Sequence, residues 1–371
     1  MSSLPPPVPR PEVMALALAT HGGPNDIELA LLALRAEDVL DFSASTNPFG
    51  PPPGVLEALA ACDVTRYPDR HATALRQALA VHEGVLPEQV LLGNGAAQLI
   101  WTIASAYLRP GDVSFIVGPT FGEYRCASQL MGARVIEWRA VAGRGFVPDL
   151  ADLAAALVAA KPRVIWLCNP NNPTGIYLNA GEVATLRAAA PASLWVLDEA
   201  YRPFVAQQWP GLPLMADGNV ILLRSFTKDC ALPGLRLGYV LAAAPIVEAL
   251  MRALPPWSVS TLAIAAGLAA LRARGGVEES LAALRVETAR LRGALIDQGW
   301  CVLPSATNFL LVETGDAQTL RERLLREHHI QVRDCASFGL PGFIRIGTRR
   351  REDNERLLAA LAHLSIERGL S

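Results

Sequence analysis

Lysine is almost absent from this chain. Only Lys161 and Lys228 occur among 33 lysine and arginine residues, so arginine supplies nearly all of the positive charge. A guanidinium stays protonated, whereas an amine can lose its proton and attack a carbonyl carbon. Lys228 is therefore a candidate nucleophile, although residue type alone leaves open that it is an ordinary loop lysine. Lys161 follows an alanine-rich segment and is interpreted as a helix cap.

Other missing features exclude several classes of protein. The six cysteines form no C-x-x-C pair, and the histidines lack metal-ligand spacing, so neither a metal site nor a disulfide framework is indicated. No apolar run reaches the length of a membrane span, and the proline-rich leader lacks the charged segment of a signal peptide. A net charge of -2 offers no basic surface for nucleic acid. We therefore expect a cytoplasmic protein that binds neither membranes nor nucleic acid.

Composition and periodicity predict an α/β fold. With 371 residues, 51% of them hydrophobic, the chain is long and apolar enough for about two domains with a large core. Continuous apolar segments alternate with helical segments from about residue 55, which favours a mainly parallel sheet covered by helices. Shorter strands and helices after residue 266 predict a small α+β domain. The expected division is an N-terminal arm over 1–50, a large domain over 51–265 and a small C-terminal domain over 266–371.

Polar or glycine-rich segments follow five of the predicted strands. They are Gly93-Asn94-Gly95, Pro119-Thr120-Phe121, Asn169 to Gly175, Asp198 to Tyr201, and Ser225 to Lys228. Because ligands of such sheets bind at the carboxyl ends of the strands, we expect these segments to share one cleft. The hydroxyls of Ser225 and Thr227, together with Arg236, could hold a phosphate beside the Lys228 amine. This combination is what pyridoxal phosphate requires.

Two other interpretations fit less well. Gly93-x-Gly95 resembles the start of a dinucleotide-binding loop, but Gln98 replaces the third glycine and the following strand lacks the ribose-binding acid. The G-K-[ST] sequence of a P-loop is absent. A ligand-sensing regulator would need a DNA-binding module, and the segment before His21 shows no helix-turn-helix pattern.

Three motifs together resemble the aspartate-aminotransferase family of pyridoxal-phosphate enzymes. They are N-P-N-N-P-T-G at 169–175, D-E-A-Y at 198–201, and S-F-T-K at 225–228 followed by G-L-R-L-G-Y at 234–239. The resemblance covers most of residues 40 to 360. It implies aminotransferase fold type I, pyridoxal 5'-phosphate as the cofactor, and Lys228 as the residue that binds the cofactor covalently.

The resemblance also implies how the cofactor is held. Asp198 would pair with the pyridine nitrogen, Asn172 and Tyr201 would bind the phenolic oxygen, and Phe121 would stack on the ring. The implied phosphate ligands are Gly95, Ala96, Ser225, Thr227 and Arg236. Tyr67 matches a tyrosine that reaches a phosphate across a subunit interface, which implies a homodimer.

Flanking segments resemble one branch of this family. H-G-G at 21–23, D-F-S-x-x-x-N-P-x-G-P at 41–51, P-W-S-V at 256–259 and V-R-D-C-A-S-F at 332–338 are similar to threonine-phosphate decarboxylase of cobalamin biosynthesis, a relative of histidinol-phosphate aminotransferase. The main expectation is thus decarboxylation of L-threonine O-3-phosphate to (R)-1-amino-2-propanol O-2-phosphate. The alternative is histidinol-phosphate aminotransferase, or a related aminotransferase that uses 2-oxoglutarate and glutamate.

Either activity implies a small phosphorylated amino acid or amino alcohol as the substrate. By the resemblance, His21, Asn47 and Arg333 would bind the substrate's phosphate, and Arg345 would bind its carboxylate. Two residues depart from the decarboxylase pattern. Tyr201 stands where phenylalanine is expected, and Ser260 stands where both relatives tend to have asparagine.

Overall fold

The computed structural model describes residues 7–367. Its strands are β1 Leu40–Asp41, β2 Val90–Asn94, β3 Val113–Gly118, β4 Arg134–Arg139, β5 Val164–Cys168, β6 Leu194–Asp198, β7 Val220–Ser225, β8 Leu237–Ala242, β9 Cys301–Val302, β10 Phe309–Glu313, β11 Ile330–Gln331, β12 Arg333–Asp334 and β13 Phe343–Gly347. Its α-helices are α1 Pro11–Met14, α2 Asp26–Leu31, α3 Val55–Ala60, α4 Thr73–Glu83, α5 Gly95–Tyr107, α6 Glu123–Leu130, α7 Leu150–Ala160, α8 Ala180–Ala189, α9 Ala244–Ala253, α10 Thr261–Arg272, α11 Arg274–Asp297, α12 Ala317–His328 and α13 Arg351–Glu367.

A large central sheet has the strand order β2-β8-β7-β6-β5-β3-β4 within the described residues. Strands β3 to β7 run parallel to one another, and β8 is antiparallel to both of its neighbours. Both faces of the sheet are covered. In β5, for example, Ile165 faces one apolar core while Trp166 faces the other. A strand buried on both faces must be apolar throughout, which is why its sequence is continuous rather than alternating. The predicted fold class is confirmed.

Glycine determines how β2 passes into α5. Gly95 has φ +75°, a left-handed conformation that residues with a Cβ rarely adopt. The chain therefore turns at once into the helix, and α5 begins at Gly95. This places the first backbone N–H groups of α5 at the carboxyl end of the sheet.

A second, antiparallel sheet has the order β12-β13-β10-β9 in the part of the chain that the structure describes. Apolar residues of α11, α12 and α13 form a separate core with it, including Leu291, Leu324 and Leu361. This is the predicted α+β arrangement. Near the N-terminus, β1 pairs in parallel with β11, and Gly347 N–H donates to the Phe42 carbonyl. Residues 40–47 are thereby carried from this sheet toward the loop after β7.

Among residues 7–367, no helix combines the length and apolar character needed to cross a membrane.

Ser260, one of the two departures noted above, has a local role. Its hydroxyl accepts a hydrogen bond of 3.1 Å from the N–H of Ala263 and caps α10.

Candidate active site

A cavity of about 370 Å³ opens where β3, β5, β6 and β7 end. The structure brings most of the predicted site residues into its lining: His21, Ala96, Phe121, Asn172, Asp198, Tyr201, Ser225, Thr227, Lys228, Arg236, Arg333 and Arg345. Among them, Phe121, Asn172, Asp198 and Lys228 end or follow parallel strands that are far apart in sequence. Their convergence follows from the parallel arrangement, which places the carboxyl ends of β3 to β7 at the same edge of the sheet.

Lys228 lies in the loop that joins β7 to β8. Its Nζ atom is 5.8 Å from the ring centroid of Tyr201, which is itself buried edge-on against Phe309 with centroids 4.9 Å apart. Two residues of the same loop, Ala231 and Arg236, have φ values of +52° and +55°. Non-glycine residues in this region carry backbone strain and need support from their surroundings. The loop therefore depends on contacts from outside for its shape.

Asp198 ends β6 and is only 5% exposed. The Tyr124 hydroxyl donates a hydrogen bond of 2.6 Å to its Oδ2 atom, and the Ala200 N–H donates one of 2.9 Å to Oδ1. Burial raises the pKa of the Asp198 carboxyl, an effect that the bond from Tyr124 opposes. A protonated ring nitrogen at this point would favour the ionised carboxylate. Asp198 is thus a buried acid whose charged form a bound cation would stabilise.

Tyr124 was not identified from the sequence. It lies in the first turn of α6, where its ring stacks on Trp166 at 5.2 Å and meets the edge of Phe121 at 5.8 Å. The one signal was position, because α6 directly follows the Pro119-Thr120-Phe121 segment after β3. A helix starting at a strand end can direct its first turn toward the same cleft.

A cradle for an anion is built from Gly95, Ala96, Ser225, Thr227 and Arg236. A Cβ atom on Gly95 would lie 2.6 Å from Nη2 of Arg236, so only glycine allows the guanidinium to approach the start of α5. Helix N-termini attract phosphate through free N–H groups and the helix dipole. In the segment that ends β7 and begins the next loop, the Thr227 N–H donates to Ser225 Oγ at 3.0 Å. Gly95 itself lies behind the cavity wall, against Arg236.

Two arginines meet in the same cavity. Arg333 donates to the carbonyls of His21 (2.9 Å) and Thr20 (2.7 Å), and Arg345 donates to the carbonyl of Ser43 (2.8 Å) and to Asn172 Oδ1. Within residues 7–367 the structure records no carboxylate that pairs with either guanidinium. Burial, together with the charge of Arg345, lowers the pKa of Arg333. Neighbouring buried cations without acids attract anionic groups.

Arg345 is the more enclosed of the two. It is 5% exposed, and its Nε atom has no hydrogen-bond partner among the described residues. A buried donor without a partner is costly, so an anion that accepts from it would be favoured. The role of Arg345 as a carboxylate ligand stays a prediction.

His21 is held beside the cavity by an acid that was not foreseen. Its Nε2 atom lies 2.8 Å from Glu123 Oε1, and Trp101 donates to the other carboxylate oxygen at 2.7 Å. The hydrogen bond from His21 holds the pKa of Glu123 below its usual value. Glu123 therefore stays ionised and orients the imidazole.

Besides Gly95, two predicted site residues lie outside the cavity lining. Tyr67 is 81% exposed and stacks on Trp257 with ring centroids 4.8 Å apart. Asn47 is buried, and its Nδ2 donates to the Asp229 carbonyl (2.9 Å) and to Ser280 Oγ (2.8 Å). The expected contact of Asn47 with the substrate's phosphate is therefore corrected, because protein atoms already fill its hydrogen-bonding capacity.

Comparisons with known proteins agree with this geometry. Residues 37–361 match the family described as aminotransferase class I and II. The chain belongs to this family. It is 34% identical over 365 residues to histidinol-phosphate aminotransferase of Moorella thermoacetica. This alignment covers 96% of this chain and 93% of the relative.

A solved structure shows the same likeness. The aminotransferase superposes on histidinol-phosphate aminotransferase of Sinorhizobium meliloti in complex with pyridoxal-5'-phosphate, with a TM-score of 0.87 and 28% identity, over 97% of this chain and 98% of the other. Pyridoxal phosphate is thus the cofactor, as predicted. The cavity fits it, since it offers a lysine, a buried acid and a cationic anion cradle.

The preferred activity from the sequence, decarboxylation of threonine phosphate, is wrong. L-threonine-O-3-phosphate decarboxylase of Porphyromonas gingivalis is a structural neighbour with a TM-score of 0.78 and 28% identity, over 88% of this chain and 99% of the other. The sequence relative at 34% identity is instead named an aminotransferase. The short flanking motifs were therefore not sufficient to tell the two enzymes apart. Tyr201, the departure from the decarboxylase pattern noted above, favoured the aminotransferase alternative.

Proposed function

We propose that this aminotransferase moves the amino group of L-histidinol phosphate to 2-oxoglutarate, forming glutamate and the corresponding keto phosphate. The observation that carries this proposal is the buried pair of Arg333 and Arg345 in the cavity of Lys228. One substrate of such a reaction bears a phosphate and the other bears carboxylates. Both need a fixed cation close to the reacting amine, and the named relatives support the identity of the phosphorylated partner.

The two guanidiniums divide this work between them. Arg333 would bind the phosphate of histidinol phosphate, with His21 beside it on the N-terminal segment. Arg345 would bind a carboxylate of glutamate or 2-oxoglutarate through two parallel hydrogen bonds. Its contact with Asn172 also ties the carboxylate site to a residue expected to touch the cofactor.

The cofactor contacts follow the family pattern. Lys228 would bind pyridoxal phosphate covalently, and Asp198 would hold the proton on its ring nitrogen, with Phe121 against the ring. Asn172 and Tyr201 would donate to the phenolic oxygen. The phosphate would lie against Gly95, Ala96, Ser225, Thr227 and Arg236.

When bound, pyridoxal phosphate withdraws electrons from the carbon that carries the amino group and makes its proton acidic. Lys228 Nζ is positioned to remove and return that proton, because it is the amine that lines the cavity. Asp198 would keep the proton on the ring nitrogen, in a site where burial strengthens each electrostatic contact. Arg333 and Arg345 keep the two substrates in register with Lys228.

The larger organisation is part of the proposal. We propose a homodimer in which exposed Tyr67 reaches the phosphate site of a second copy, and a division at about residues 50 and 265 into arm, large domain and small domain. A cytoplasmic location is consistent with the six free cysteines.

The test uses the purified protein loaded with pyridoxal phosphate. Histidinol phosphate and 2-oxoglutarate are supplied, glutamate is measured, and L-histidinol without phosphate is the matched comparison. We expect kcat/KM for histidinol phosphate to exceed that for histidinol by about 30-fold or more, given the 2–5 kcal/mol of a buried charged contact. Equal values for both amines would contradict the proposed substrate.

A further inference from the structure

One residue from a distant loop holds two consecutive carbonyl groups at Lys228. The Asn47 main-chain N–H donates a hydrogen bond of 2.8 Å to the Lys228 carbonyl. The Asn47 side-chain Nδ2 donates one of 2.9 Å to the carbonyl of Asp229, across a separation of 182 residues. Together the two bonds fix the two consecutive peptide groups that follow Lys228.

Asn47 is itself held rigidly. It is 4% exposed, and its Oδ1 atom accepts from the Phe49 N–H at 3.1 Å. Its Nδ2 also donates to Ser280 Oγ at 2.8 Å, and that hydroxyl donates to the Val277 carbonyl at 2.7 Å. Both amide hydrogens and the amide oxygen are therefore in use. An amide fixed in this way can position its partners.

The side chain of Asp229 anchors the same loop from another direction. Asp229 is 3% exposed, and its Oδ2 atom lies 2.6 Å from Nη1 of Arg274, at the start of α11. Arg274 also pairs with Glu278 at 2.8 Å. The segment next to Lys228 is thus tied to residues 42–50 by Asn47 and to α11 by Arg274.

The loop needs this support because it does little to support itself. Its N–H groups donate two of the described backbone–backbone hydrogen bonds. One joins the Phe226 N–H to the Leu237 carbonyl, and the other joins the Leu235 N–H to the Leu232 carbonyl. Ala231 and Arg236 have left-handed backbones, at φ +52° and +55°. Outside contacts must therefore decide the conformation at Lys228.

We propose that Asn47 is a positioning residue for Lys228. By fixing the two peptide groups after Lys228, the first through its main chain and the second through its side chain, it sets the direction in which the amine enters the cavity. A misplacement of about 1 Å in a catalytic group can lower a rate by about 100-fold. The proposal rests on the proposed covalent role of Lys228, but not on the identity of the substrate.

The test compares the parent holoenzyme with Asn47→Ala, which removes the side-chain bond to the Asp229 carbonyl and keeps the main-chain bond to the Lys228 carbonyl. We expect kcat to fall about 10- to 100-fold, with KM for both substrates within about twofold, because placement of the base changes and substrate contacts do not. We also expect a displaced pH midpoint for the visible absorbance of lysine-bound pyridoxal phosphate. That spectrum reports the surroundings of Lys228 without requiring turnover.

Asn179→Ala is the matched control. It removes another asparagine side chain, whose Oδ1 accepts from the Glu182 N–H at 3.0 Å and caps α8 away from the cavity. It should lower the thermal midpoint while leaving kcat and the absorbance midpoint unchanged. If Asn47→Ala behaves in the same way, Asn47 only stabilises the fold and the proposal is overturned.

Two more results decide the remaining possibilities. A raised KM for the phosphorylated amine alone, with kcat and absorbance unchanged, would mean direct contact with the substrate and would also overturn the proposal. If Asn47→Ala does not fold, Ser280→Ala, which removes one acceptor of the Asn47 amide, is judged by the same readouts.

Lys228→Ala separates this proposal from the proposed function. If pyridoxal phosphate can still be attached covalently by borohydride reduction in Lys228→Ala, the proposed covalent role of Lys228 is refuted.

Discussion

The phenol of Tyr124, which lines the cavity, donates a 2.6 Å hydrogen bond to Oδ2 of Asp198. The ring of Tyr124 is fixed by its stacking on Trp166, so the hydroxyl cannot easily turn away. Burial raises the pKa of Asp198, and this bond favours the charged form. Tyr124 therefore supports the acid on which the cofactor's ring nitrogen is expected to depend.

Replacing Tyr124 by phenylalanine should shift the acid limb of the activity profile. Without the donor, the pKa of Asp198 rises further, so the carboxylate is protonated at a higher pH as the solution is acidified. A bond to a charged group is worth about 1.5–3 kcal/mol, or about one to two pKa units. We expect the acid midpoint of kcat to move up by about one unit. Tyr177→Phe, outside the cavity, should leave it in place, and an unmoved midpoint in Tyr124→Phe would argue against this support.

Asp198→Asn should separate stability from cofactor binding. In the cofactor-free protein the folded-state pKa lies above the ordinary value, so the folded state binds more protons between the two values and stability falls as pH rises through that window. The amide removes this dependence. We expect thermal unfolding of the cofactor-free variant at neutral pH to occur at or above the parent's temperature. Its affinity for pyridoxal phosphate should fall about 10- to 100-fold, from the lost charged contact. A less stable cofactor-free variant would contradict the assigned sign.

Substitutions of the two cavity arginines should lower kcat/KM for different substrates. Arg333→Ala should lower kcat/KM for histidinol phosphate by about 30-fold or more and affect glutamate less, because it removes a buried cation from the phosphate site. Arg345→Lys should do the reverse, since an ammonium cannot bind a carboxylate through two parallel bonds. Steady-state kinetics of each half reaction measure both. Equal losses on both substrates in both variants would contradict the division of roles.

The central sheet could be predicted because its sequence is simple. A strand such as β5, with Ile165 and Trp166 facing opposite cores, must be apolar throughout, and this pattern is visible without a structure. Parallel strands then place their carboxyl ends together, which brought Asp198 and Lys228 into one cavity. Local pattern and topology were sufficient for this part of the site.

What the sequence could not show were contacts that depend on one side chain across a long separation. Tyr124 and Glu123 belong to no motif, and only the packing of α6 turns them toward Asp198 and His21. Asn47 carries the right chemistry for a ligand contact, yet it faces Asp229 and Ser280. A loop amide has the same sequence signature whether it faces a cavity or another loop.

A final prediction concerns the buried charges below the Lys228 loop. Arg224, which precedes Ser225, lies between Glu83 and Glu199, with its Nε atom 2.7 Å from Glu199, and Tyr239 donates to Glu83 at 2.6 Å. Arg224→Ala would remove the cation that both buried carboxylates share and would leave Glu199 only the 3.7 Å contact with Arg202. Such a loss typically costs about 3–5 kcal/mol of stability, measured by urea unfolding.

The pH dependence of this loss has a definite sign. Burial alone would raise the pKa of Glu83, but the charge of Arg224 and the bond from Tyr239 bring it below its ordinary value. The resulting stability is present above the unfolded-state pKa and is lost as pH falls through the folded-state pKa. In Arg224→Ala the unpaired Glu83 can be neutralised by a proton, so the destabilisation should be smaller at mildly acidic than at neutral pH. Arg252→Ala breaks an exposed pair with Glu248 and should change stability by less than about 1 kcal/mol. Equal effects of the two substitutions would show that the buried charges contribute no more than a surface pair.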